Sequence, residues 1–209
     1  MGNRITHRPP AVEWGVAMRP LPGEAVSGDL HLVKPFAGGV LLAAVDGLGR
    51  GNQAAMAAKT AVSVLGKYAS DPVVSLAKRC HKALLMTRGV VMMLASLNLQ
   101  AGDMSWLGIG NVEGILLRAD AAAVPSLERA PLHGGLVGYQ LPVMHARKVP
   151  VREGDLVIFA TDGISGDFIR DVRREDPPQK VAELLLKRHF KGNDDALVLV
   201  LRYPRTSRE

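Results

Sequence analysis

Cysteine is almost absent from this 209-residue chain, where Cys80 stands alone. A single thiol excludes an internal disulfide and a cysteine-based zinc site, and it fits a reducing cytoplasm. Aromatic residues are scarce too, at 4%, so the core must be built mainly from Leu, Val, Ala and Met. Few rings are left to stack on bases, which counts against nucleic acid as a partner. No apolar run approaches the roughly 20 residues that cross a bilayer. The opening MGNRITHRPP lacks an apolar signal region. The expectation is a cytoplasmic protein that engages neither membrane nor nucleic acid.

The chain has the balance of a globular protein, 47% hydrophobic and 22% charged. Its length suits one domain with a sizeable core. We read a flexible N-terminus over 1–11, a single domain over 12–203 and a basic C-terminal tail over 204–209, in a monomer. The net charge is +6, and the basic residues gather late. They stand at Arg170, Arg173 and Arg174, at Lys187, Arg188 and Lys191, and at Arg202, Arg205 and Arg208. Solvated helix faces account for such clusters as readily as an acidic partner does.

The organising stretch is 40–51, VLLAAVDGLGRG. An apolar run stops at Asp46-Gly47, and Gly49 and Gly51 precede an alanine-rich segment. This reads as a buried strand, a loop and a helix. A carboxylate at a strand end is held by a rigid element, and Gly47 lets the backbone approach whatever Asp46 binds. The same punctuation recurs at 156–164, LVIFATDGI. Around these stretches we expect a strand at 12–18 and a hairpin at 30–45 turning at Gly38-Gly39. Helices are expected at 52–68, with Ala55, Ala58, Val62 and Leu65 on one face, and from an Asp71-Pro72 cap to about Thr87, burying Leu76, Leu84 and Leu85. An antiparallel meander should run through 90–99, 104–109, 114–118 and 124–129. A strand pair, 146–151 with 156–161, should turn at Glu153-Gly154. A helix at 179–190 and a last strand at 196–203 complete the chain. The class is α+β, two packed and mainly antiparallel sheets flanked by helices.

Four acidic positions share one grammar. Asp29 opens a strand, Asp46 and Asp162 end apolar strands before glycine, and Asp194-Asp195 precedes an apolar strand. Ionised carboxylates about 4 Å apart repel by roughly 4 kcal/mol at an effective dielectric near 20, so a cluster of them needs a cation. Oxygen ligands without paired His or Cys favour Mg²⁺ or Mn²⁺. Two such ions can activate a water and clamp a phosphoryl group. One Asp-Gly pair is usually only a turn; four acids at strand ends are more than that.

Ser27-Gly28-Asp29, Val45-Asp46-Gly47 with Gly49 and Gly51, Thr161-Asp162-Gly163, and Asp194-Asp195 before a final strand form an ordered set. In order and spacing they resemble the motifs of the metal-dependent protein Ser/Thr phosphatases. Within that family the chain is most similar to the SpoIIE-type bacterial branch and its stressosome phosphatases, over nearly its whole length. The resemblance implies a β-sandwich flanked by helices and a binuclear Mn²⁺ or Mg²⁺ centre. It makes Asp29, Asp46, Asp162 and Asp194 the candidate ligands, with the Gly47 carbonyl. The implied reaction is attack by a metal-bound hydroxide on phosphoserine or phosphothreonine, with no phosphoenzyme. The implied substrates are phosphorylated STAS-domain stressosome proteins, whose dephosphorylation resets a stress signal.

The chain departs from that pattern twice. Leu32 stands where the branch commonly has a second acid, and Leu197 replaces a threonine in the final motif. Leu32 motivates a rival reading, a binding module with the same fold and an impaired metal site. Arg50, between two glycines, is a candidate phosphate contact. His31 reads as a strand-face residue, Cys80 and His81 as helix packing, and Trp14 and Trp106 as core. His133 and His145 flank a glycine-rich loop that has no further pattern.

Overall fold

The computed structural model describes residues 12–204. Its strands are β1 (Glu13–Arg19), β2 (Asp29–Phe36), β3 (Gly39–Gly47), β4 (Val90–Asn98), β5 (Asp103–Ile109), β6 (Glu113–Leu117), β7 (Leu127–Arg129), β8 (Leu132–His133), β9 (Arg147–Pro150), β10 (Leu156–Ala160) and β11 (Ala196–Arg202). Its helices are α1 (Gly51–Lys67), α2 (Val73–Leu84) and α3 (Pro178–His189), with a 3₁₀ turn at Phe168–Asp171. One sheet runs β1-β11-β10-β6-β7; the other runs β2-β3-β4-β5-β8, with β9 also paired to β5. The segments 1–11 and 205–209, with Arg205 and Arg208, lie outside the described residues.

Alternation along the strands builds three apolar layers. On β3, Leu41, Ala43 and Val45 pack against α1 and α2, while Val40, Leu42 and Ala44 face the opposing sheet. On β11, Leu197, Leu199 and Leu201 face inward between the sheets; Ala196, Val198 and Val200 pack under α3. The period of two assigns each side chain to a face, and both faces are covered. The result is the expected α+β sandwich, helices outside two sheets.

Two expected pairings are corrected. The meander does not stay in one sheet: β5 pairs with β4, whereas β6 pairs with β10 and β7. Residues 110–112 therefore cross from one sheet to the other. Likewise β9 pairs with β5 and β10 with β11 and β6, so Glu153-Gly154 joins two layers and not two partners. Local details differ as well. Pro72 is the N-cap of α2, and Asp71 instead binds Arg79 at 2.8 Å. The helix ends at Leu84, where the Thr87 hydroxyl donates to the Leu84 carbonyl at 2.8 Å, and Leu85 is exposed. Trp106 is fully buried, but Trp14 lies 43% exposed on the edge strand β1.

That edge is covered in an unusual way. The Gln179 amide at the start of α3 accepts from Val16 N–H at 3.0 Å and donates to Val16 C=O at 3.1 Å. It imitates the next strand and occupies backbone groups that would otherwise invite pairing. At the end of β6 a buried ionic network closes the sandwich. Arg118 binds Glu128 and, at 2.9 Å, Asp155, and it donates to Pro150 C=O at 2.8 Å.

Candidate active site

The four predicted acids collect at the opposite end of the sandwich, and they come from both sheets. Asp29 and Asp46 are directly paired across β2 and β3. Counting by twos from Ala44 and Val33, both lie on the face turned toward the other sheet. Asp162 follows β10, and Asp194 precedes β11. Asp46, Asp162 and Asp194 line one open cleft of about 390 Å³ with Leu48, Gly49, Val91, Gly110, Asn111 and Gly134. Asp29 is buried beneath it.

Neighbours fix Asp29 and Asp162. The Thr161 hydroxyl donates to Asp29 at 2.7 Å and accepts from Leu197 N–H at 2.8 Å, which ties the two sheets together at the floor. Asn111 Nδ2 donates to the Asp162 carboxylate at 2.7 Å, and Lys191 Nζ to its carbonyl at 2.7 Å. Asp195 has a different task from Asp194. It is buried and accepts Leu21 N–H at 2.7 Å and Gly28 N–H at 2.6 Å, so it clamps the loop before Asp29. Asn111 and the structural role of Asp195 escaped the sequence reading, because Gly-Asn looks like ordinary turn chemistry and adjacent aspartates look alike.

The electrostatics are those of an uncompensated cluster. Burial, then the Asp46 charge, pushes the Asp29 carboxyl up to about 8, against the opposing hydrogen bond from Thr161. Burial and the charges of Asp162, Asp194 and Asp195 push Asp46 up to about 7. Asp162 is raised mainly by burial and Asp194, with Lys191 and Asn111 opposing. This donor set is all oxygen and repels itself, which suits a hard divalent cation. Among the described residues no three His, Cys, Asp or Glu side chains are drawn together closely enough to hold an ion; the set is a lined cleft and not a closed cage.

Gly47 and Gly163 let these acids approach. A Cβ on Gly47 would collide with the Ala54 carbonyl of α1, and one on Gly163 would collide with the Asp195 carbonyl. Gly163→Ala should therefore cost about 1–3 kcal/mol, read as a lowered urea midpoint. An unchanged midpoint would mean that this backbone contact is soft.

The remaining candidates sit elsewhere. Arg50 is exposed at the N-cap of α1 and does not line the cleft. His31 packs beside Trp14, ring centroids 5.8 Å apart, and burial lowers its pKa. His81 accepts Gly138 N–H at 3.0 Å, and the buried Cys80 thiol is pushed up to about 12 by desolvation. His133 spends both ring nitrogens on backbone, at Gly108 C=O and His145 N–H. Leu32 packs on the α1–α2 side of its sheet, on the other face from Asp29. An acid there would point away from the cleft, so Leu32 subtracts nothing from it. The binding-module reading thereby loses its motive.

Comparison with known proteins gives this geometry a family. Residues 37–204 match the family model of stage II sporulation protein E (SpoIIE). The chain belongs to the SpoIIE family. Its curated relative, the phosphoserine phosphatase RsbX of Bacillus subtilis (strain 168), is 25% identical over 179 residues, 86% of this chain and 88% of RsbX. A chain solved in work on the bacterial stressosome, as a modular system adapted to control secondary messenger signalling, superposes with a TM-score of 0.83. It is 28% identical and covers 92% of this chain and 100% of its own length. A crystal structure of RsbX in complex with magnesium superposes with a TM-score of 0.80 at 21% identity, covering 91% and 94%. As a SpoIIE-family member the chain is a protein phosphatase of the metal-dependent serine/threonine class.

Proposed function

We propose that the cleft is a divalent-metal phosphoprotein phosphatase centre, with Asp29, Asp46, Asp162 and Asp194 and the Gly47 carbonyl as its ligands for two Mn²⁺ or Mg²⁺ ions. The observation that carries this reading is the convergence of four carboxylates from two sheets, whose mutual repulsion is opposed by Lys191 and by the Thr161 and Asn111 hydrogen bonds. When bound, divalent cations supply charge neutralisation and an activated water for attack on the phosphoryl group. The chain's own residues set the geometry. The Asn111 and Thr161 hydrogen bonds hold the carboxylates of Asp162 and Asp29, and Asp195 holds the Gly28 backbone beside them. Such fixed orientation avoids reorganisation during the reaction.

The substrates we assign are phosphorylated STAS-domain stressosome proteins in the cytoplasm. Support comes from the relatedness to RsbX and to the chain from the stressosome study. No described helix is long and apolar enough to cross a membrane.

The deciding assay is phosphate release from a phosphorylated STAS-domain protein, with Mn²⁺ and then with chelator. Release that chelator stops is expected. Release that persists in chelator would remove the metal from the mechanism, and no release with tight binding would return the binding-module reading. Mn²⁺ at 100 times its dissociation constant should also stabilise the fold by about 2.7 kcal/mol. A melting temperature indifferent to millimolar Mn²⁺ would count against these ligands.

A further inference from the structure

Divalent cations held by the carboxylates would neutralise the acidic wall, which leaves the outer oxygens of a phosphate monoester to the chain's own cations. Lys191, the cation at Asp162, already donates to that residue's carbonyl at 2.7 Å. Arg88 stands against Gly49. Its Nη1 lies only 2.5 Å from where a Cβ on Gly49 would stand, with Cζ and Cδ at 3.5 Å. Gly49 is itself a wall of the cleft. The guanidinium thus lies over the bare backbone of a cleft residue, in a slot that any side chain at position 49 would fill. Gly49 also has φ +100°, a conformation that favours glycine.

Arg88 is exposed, and among the described residues it has neither a carboxylate nor a carbonyl partner. Its backbone, in contrast, is fixed from both sides. The Gly89 carbonyl accepts Leu48 N–H at 3.1 Å, Gly89 N–H donates to the Thr87 hydroxyl at 3.1 Å, and that hydroxyl donates to Leu84 C=O at 2.8 Å. An anchored stem with an uncommitted planar fork is suited to two oxygens of a phosphoryl group. Arg50 is exposed too and sits at the N-cap of α1, so the test compares the two arginines.

We propose that Arg88 receives the substrate's phosphoryl oxygens at the mouth of the cleft. The inference rests on the phosphatase reading. The test uses Mn²⁺-loaded protein, p-nitrophenyl phosphate as substrate and inorganic phosphate as a calorimetric ligand. Arg88→Gln should raise KM and the phosphate dissociation constant about tenfold or more, with a smaller effect on kcat. Arg88→Lys should recover part of the loss, and the melting temperature should not move, since no partner is lost. Equal phosphate affinity in wild type and Arg88→Gln, including none measurable in either, overturns the proposal. A larger effect from Arg50→Gln than from Arg88→Gln also overturns it. A wild-type protein that hydrolyses nothing would sink the phosphatase reading alone, because the calorimetric comparison still judges Arg88.

Discussion

Asp46→Asn should lower turnover by roughly 10²–10³-fold or more, and the same variant should melt higher than wild type when both are held in chelator. The two effects have one cause. Asp46 is pushed from 3.8 to about 7 by burial and by the charges of Asp162, Asp194 and Asp195. A carboxyl whose folded pKa is raised binds its proton more tightly in the native state than in the unfolded chain. Its ionisation therefore costs stability, progressively from about pH 4 up to about pH 7, and the full cost stands above that. Asparagine keeps the shape and removes the charge. The wild type in chelator should lose melting temperature between pH 5 and pH 8, and Asp46→Asn should lose less. Each kcal/mol recovered is worth about 2–4 °C in a domain of this size. A variant that is inactive but also destabilised at pH 8 would mean that Asp46 supports the fold by contacts not seen around it. A fully active variant would remove Asp46 from the site.

Arg118→Ala should be the most damaging single change outside the cleft. Arg118 is buried against Glu128 and Asp155, and Asp155 also accepts Ala119 N–H at 2.8 Å and Arg152 N–H at 3.0 Å. Removing the guanidinium strands two buried carboxylates, and breaking a buried pair in this way costs about 3–5 kcal/mol. The melting temperature should fall by about 6–20 °C. Arg147, which reaches Glu128 at 2.8 Å, is half-exposed and compensates only one of the two acids. A fall of a degree or two would show that water or Arg147 satisfies the network. Below its transition the variant should retain its phosphatase activity, because the network lies at the end of β10 remote from Asp162.

Much of this was legible in the chain, because the relevant signals are local. Strand ends at Asp46-Gly47 and Asp162-Gly163 are written in the run of apolar residues before them. The layering follows from alternation at 40–45 and 196–201. What misled was pairing between distant strands. Gly110-Asn111 and Glu153-Gly154 have the chemistry of hairpin turns, yet both cross between sheets, and neither periodicity nor turn residues record which partner a strand will choose. Asn111 reaches Asp162 only because of that crossing. The site was thus visible as a list of acids, whereas the residues that hold those acids became visible only with the topology. Trp14 failed for a simpler reason: a large apolar residue on an edge strand has just one neighbour to bury it.

The placement of β11 has a consequence for when the protein can act. It is the central partner of β1 and β10, yet it is made after both, and the Asp195 that precedes it clamps Gly28, 167 residues earlier. Until β11 has been made, the apolar faces of β1 and β10 have no common partner and Asp29 has no floor. Contacts of such long sequence separation form late and together. A chain that stops short of β11 is therefore expected to be silent and not partially active.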